Sequence, residues 1–156
     1  MSSAARIFVY TDGACRGNPG PGGWAWAVSE DWFESGAEAH TTNQRMELTA
    51  VLKALAAFPS PTVLTIVSDS TYVVNCFRQR WWEAWRRKGW RNAKGEPVAN
   101  QDLWQPLIGE VVDRRTGEVE LAWVKGHGGH TLNDLVDRLA VEASLTQRGA
   151  SRSLVR

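Results

Sequence analysis

The sequence predicts an α/β domain: a five-stranded mixed sheet, an antiparallel meander joined to parallel strands, with helices on both faces. Three observations predict it. Short apolar runs at 7–10 and 63–67, and alternating segments at 24–28 and 119–123, read as strands buried to different extents. Apolar stripes at helical spacing occur at Leu48, Val51, Leu52 and Leu55, and again at Leu132, Leu135, Val136 and Leu139. The order β-β-β-α-β-α-α-β-α joins the early strands by short links and separates the later ones by helices, as right-handed parallel crossovers require.

Residues 7–10, an unbroken Ile-Phe-Val-Tyr run, give a first strand buried on both faces. Residues 17–23 are nearly all Gly, Pro and Asn and give a turn. Large and small residues alternate from Trp24 to Val28 as the second strand, and a more polar third strand covers 32–40. Thr41 and Thr42 are caps for the first helix, which Pro59 and Pro61 stop. The fourth strand, 63–67, ends at Ser68-Asp69-Ser70, with Ser70 capping the next helix. A basic, tryptophan-rich segment leads to a helix over 100–113, and Val119, Leu121 and Trp123 alternate along the last strand. After a loop of glycine and histidine, Thr131 caps the final helix, with Asp134 three residues on as an acidic form of the capping box. Residues 6–146 form the domain, and 1–5 and 147–156 are expected to be flexible ends.

A chain of 156 residues has room for one domain. Its 43% hydrophobic and 22% charged residues are those of a globular fold. No apolar run approaches the ~20 residues that cross a bilayer, and the first residues lack a signal-peptide core. A cytoplasmic monomer is the expectation. Cys15 and Cys76 are too few for a disulfide framework or a zinc site and read as reduced thiols. The net charge of +1 hides an asymmetry. Between Phe77 and Gly95, seven basic residues face one acid, a local +6 against −5 for the remainder. A basic segment on an acidic body points to a polyanion met at one place.

Asp12 follows the first strand and Asp69 the fourth, so parallel pairing would put both at the carboxyl edge of the sheet, where ligands of open α/β sheets bind. Glu47 lies on the flank of the first helix and Asp137 on that of the last. Taken singly, each acid has a plainer explanation: Asp-Gly is a turn, Ser-Asp-Ser a cap, a helical acid a solvated group. If they converge, their charges repel, and a divalent cation removes the conflict. Oxygen-only ligands suit Mg²⁺ or Mn²⁺, and such a site can hold two ions about 4 Å apart for phosphodiester hydrolysis.

Four collinear motifs resemble bacterial ribonuclease HI. They are the Thr11-Asp12-Gly13 opening with its Gly17-Asn18-Pro19-Gly20 loop, Thr41 to Leu48, Ser68 to Val73, and Trp123 to His130 followed by Asn133 and Asp137. The resemblance spans about Arg6 to Ala143 and implies a ribonuclease H-like fold and an endonuclease that hydrolyses the RNA strand of an RNA–DNA hybrid, leaving 5′-phosphate and 3′-hydroxyl ends. It implies that Asp12, Glu47, Asp69 and Asp137 bind metal and that His127 assists proton transfer or product release. The hybrid's 2′-hydroxyls lie in its minor groove. The resemblance places Cys15, Asn18, Asn43 and Gln44 there, Thr42 at a DNA phosphate, and Asn100 at a further contact. Trp81, Trp85, Arg86, Arg87 and Lys88 resemble the family's basic handle, where cations meet phosphates and aromatics pack on sugars. Gln44, Thr71 and Ala99 depart from the expected Asn, Gln and Lys, and one residue is inserted between Tyr72 and Trp81. A binding module without catalysis is the main rival, and four acids beside phosphates argue against it.

Overall fold

A computed structural model describes residues 5–126 and 131–153. Its elements are β1 (Ile7–Cys15), β2 (Gly20–Ser29), β3 (Trp32–Thr41), α1 (Asn43–Ala57), β4 (Leu64–Ser68), α2 (Thr71–Arg78), α3 (Trp81–Arg87), α4 (Gln101–Ile108), β5 (Val119–Trp123), α5 (Thr131–Thr146) and β6 (Ser151–Arg152). The sheet runs β5-β4-β1-β2-β3-β6, with β1–β2–β3 antiparallel and β1–β4–β5 parallel. No helix among the described residues is long and apolar enough to cross a membrane.

Alternation in the strands sends residues to two cores. Val9, Trp24 and Trp26 pack with Met46, Leu48, Val51 and Leu55 of α1 and with Trp104 and Leu107 of α4. Ala25 and Ala27 meet Leu135, Val136 and Ala140 of α5 on the opposite face. Helices thus cover both faces, as the element order requires.

Among the described residues the sheet has six strands instead of five. Ser151 and Arg152, in the stretch expected to be a flexible tail, pair antiparallel with Glu34 and Phe33. Ser35 N–H donates to the Ala150 carbonyl at 2.7 Å, and Ala150 N–H donates to Ser35 Oγ at 3.0 Å. The open backbone of β3 is the physical reason: an edge strand presents unpaired amides and carbonyls that a passing segment satisfies.

The glycine-rich stretch is only half turn, because β2 already begins at Gly20. A Cβ on Gly13 would lie 2.4 Å from the Glu47 nitrogen, and one on Gly23 would lie 2.3 Å from the Ala140 carbonyl oxygen. These glycines let α1 and α5 approach the sheet backbone. β1 runs on to Cys15 and is not buried throughout, since Phe8 is 53% exposed. α5 packs on β1, β2 and β3, but Phe8 belongs to neither core cluster.

α1 is capped by the Thr42 hydroxyl, which accepts from Arg45 N–H at 3.2 Å, and ends at Ala57 before Pro59. The basic stretch contributes α3, set off from α2 by Arg80 in the left-handed region, φ 57°. The helix expected over 100–113 divides: α4 contains Pro106 and continues as π-helix over Gly109–Arg114. Proline offers no amide to the preceding turn, and widening is one way a helix absorbs the defect. α5 is described over Thr131–Thr146, so Thr131 lies within the helix instead of capping it.

Candidate metal centre and nucleic-acid interface

Thr11 pairs with Ser68 at the end of the β1–β4 ladder. Asp12 and Asp69, one residue further, therefore project at the same edge of the sheet. Gly13 next to Asp12 lets α1 come in, and this brings Glu47 alongside. One oxygen from each of Asp12, Glu47 and Asp69 lies within 4.8 Å of the others. Asp137 is half-buried on α5 and stands near enough for its charge to act on Asp12, though outside that trio.

Local hydrogen bonds hold these acids. Gly13 N–H donates to Asp12 Oδ1 at 2.8 Å. The Ser70 hydroxyl donates to Glu47 Oε1 at 3.0 Å while accepting from Val73 N–H at 3.2 Å, so one oxygen caps α2 and orients Glu47. The Asn43 side chain also bonds Glu47. The sequence marks Ser70 as a cap only, since nothing in it shows that the hydroxyl reaches a helix 23 residues away.

Burial first, then the charge of Asp69, pushes the Asp12 carboxyl up to about 8, with Asp137 and Glu47 adding to the rise against the Gly13 amide. Burial likewise pushes Glu47 up to about 7, opposed by the Ser70 hydrogen bond and reinforced by Asp69. At neutral pH the bare cluster cannot carry its full negative charge. An all-oxygen donor set in this condition fits a hard divalent cation, which removes the reason for protonation.

The expected groove contacts gather beside it. Cys15 ends β1, its thiol set against the carbonyls of Gly20 at 3.4 Å and Thr41 at 3.3 Å. Asn18 Oδ1 accepts Asn43 N–H at 2.8 Å, which ties the β1–β2 turn to the start of α1. Gln44 is exposed on the first turn of α1, next to Thr42 and Asn43. His127 lies outside the described residues.

In the handle, Trp81 and Trp85 are half-buried. Trp85 meets Trp81 and Trp90, each at 6.1 Å, and the buried Trp104 at 5.5 Å, so the aromatic row is rooted in the core. Arg87 and Lys88 are exposed. Arg86 is engaged within the chain, forked onto Asp113 at 2.6 and 3.1 Å and lying over the Trp82 ring. Asn100 is likewise engaged at both ends: Oδ1 accepts from Arg45 at 3.4 Å and Nδ2 donates to the Tyr72 hydroxyl at 3.1 Å.

The RNase H family matches residues 4–145. The chain is 43% identical over 152 residues to ribonuclease H of Pelobacter propionicus, covering 96% of this chain and 91% of the relative. It is 50% identical over 141 residues to ribonuclease H of Syntrophomonas wolfei, covering 88% and 94%. The crystal structure of LC9-RNase H1, a type 1 RNase H with the type 2 active-site motif, superposes with a TM-score of 0.78 at 29% identity, over 96% of this chain and 77% of that one. A foamy viral protease-reverse transcriptase in complex with RNA/DNA hybrid shares the fold, with a TM-score of 0.72 at 24% identity, over 89% of this chain and 20% of that one. Acid cluster, fold and sequence agree: the chain belongs to the ribonuclease H family, metal-dependent endoribonucleases acting on RNA–DNA hybrids.

Proposed function

We propose that the chain cuts the RNA strand of a hybrid internally, leaving 5′-phosphate and 3′-hydroxyl ends, with Asp12, Glu47, Asp69 and Asp137 as metal ligands. The observation that carries this reading is the close approach of three carboxylates at one sheet edge, within 4.8 Å. These acids would hold Mg²⁺, with Mn²⁺ as an alternative and two ions once the hybrid is bound, and the metal would supply a more acidic water and charge neutralisation at the leaving 3′-oxygen. Asp12 on β1 and Asp69 just past the end of the adjacent parallel β4 present their oxygens at one edge. Glu47 is steered toward them by Ser70 and Asn43. His127, ten residues before Asp137, assists proton transfer or product release.

Cys15, Asn18, Asn43 and Gln44 meet the minor groove, where the 2′-hydroxyls distinguish RNA from DNA. Thr42 meets a DNA phosphate. Trp81, Trp85, Arg87 and Lys88 hold the hybrid at the handle, and Arg86 and Asn100 serve the same surface from within. The reading includes a cytoplasmic location and a monomeric enzyme.

One gel tests the reading. End-labelled RNA–DNA hybrid, duplex RNA, duplex DNA and single-stranded RNA are incubated with Mg²⁺, Mn²⁺ or chelator. Internal cuts confined to the hybrid's RNA strand, abolished by chelator, are expected. Binding without cleavage would make the chain a binding module.

A further inference from the structure

One side chain joins the two halves of the proposed hybrid surface. Arg45 sits on the first turn of α1, between the groove residues Asn43 and Gln44 and the metal ligand Glu47. Its guanidinium crosses to α4 and forks onto Asp102 at 2.9 and 2.7 Å, while Nη1 also reaches Asn100 Oδ1 at 3.4 Å. Asn100, which precedes α4 with φ 61°, passes the connection on to the Tyr72 hydroxyl. Tyr72 also accepts from Trp104 Nε1 at 2.7 Å, and Trp104 packs on the handle's Trp85. α1, α2 and α4 thus share one polar network, and its Trp104 meets the handle through ring packing on Trp85.

We propose that Arg45, paired with Asp102 and touching Asn100, is a positioning residue: it locks the first turn of α1 to the start of α4 and so sets the distance between the groove-facing residues and the handle. The inference rests on the hybrid-cleaving reading above. The pair is not there chiefly for stability. Asp102 is 63% exposed, so solvent screens much of what the pair adds to folding. What the fork supplies is geometry, because two parallel N–H···O bonds fix both direction and distance. A single contact to a point charge would not.

Asp102→Asn distinguishes this role from direct phosphate binding by sign. If Arg45 gripped a phosphate, removing the competing anion would free the guanidinium and tighten binding. If Arg45 sets the spacing, the same change weakens binding. Anisotropy of a labelled hybrid in chelator gives Kd for the wild type, Asp102→Asn, Arg45→Lys and the double variant, and melting gives Tm. The expected result is a rise in Kd of about three- to tenfold in each single variant, no further rise in the double, and Tm within about 3 °C of wild type. In Mg²⁺, KM rises and kcat stays within about twofold. Tighter or unchanged binding by Asp102→Asn, additive losses in the double variant, or a loss that tracks Tm would overturn the proposal. Failure of the wild type to prefer hybrid over duplex DNA would instead overturn the reading beneath it.

Discussion

Burial and neighbouring charge displace the Asp12 carboxyl further from its ordinary value than the Glu47 carboxyl, and the displacement has a sign. Asp12 titrates near 8 in the fold against 3.8 when exposed, and Glu47 near 7 against 4.5. Without metal, the folded state holds protons that the unfolded chain has already released between those values. The contribution of these two groups to stability is therefore full below about pH 4 and is lost as pH rises toward 8. Melting in chelator should show Tm dropping across that interval, and Mg²⁺ should flatten the curve. A chelated protein with a flat profile would contradict the crowding of these acids. Asp69→Asn should abolish turnover on the hybrid while leaving Kd within a few-fold, because it removes a ligand without touching the handle. Retained turnover in a gel assay would take Asp69 out of the chemistry. At this scale the acids were legible in the sequence because each sits in a motif at a strand end or helix flank. The roles of Ser70 and Arg115 were not. Arg115 is 1% exposed and donates to the carbonyls of Phe58 at 2.8 Å and Thr62 at 2.9 Å, with Glu118 beside it at 3.1 Å. No local pattern marks a cation that folds inward to finish another helix.

Among elements, glycines decide how closely helices approach the sheet. Gly23→Ala should cost about 2 kcal/mol or more, because the added Cβ meets the α5 backbone at Ala140 and Ser144, which cannot step aside alone. Urea unfolding checks the value. A loss below about 0.5 kcal/mol would show that α5 slides freely over β2. This contact also explains what the sequence left ambiguous. Gly20, Gly22 and Gly23 lack side chains for packing reasons, yet with Pro21 the same composition spells a turn. Strands and helices with a clear period were readable, including α1 with its Thr42 cap and β4 with its buried run. α3 was not: its tryptophans and arginines carry no clean stripe, as it is packed through rings from below and wetted from above.

The whole molecule is an acidic body with one basic arm, and hybrid affinity should depend on salt accordingly. Each phosphate neutralised contributes about −0.9 to the slope of log K against log salt. Arg87→Ala should reduce the slope by about one and weaken hybrid and duplex DNA alike, since phosphate carries no sequence or sugar information. An unchanged slope in an anisotropy titration would remove Arg87 from the interface. Arg86→Ala should act differently, by loosening α3 from Asp113. The overall α/β architecture was legible from element order alone. The sixth strand was not, because two residues are too short for any periodicity to register.

That last strand bears on how the enzyme can be instrumented. β6 lies three strand spacings from β1, on the order of 15 Å at about 4.8 Å per step. A fluorophore or surface tether joined at Arg152 would therefore leave the acids open, whereas removing Ser151 and Arg152 would strip the margin of β3 and invite two copies to zip together along it.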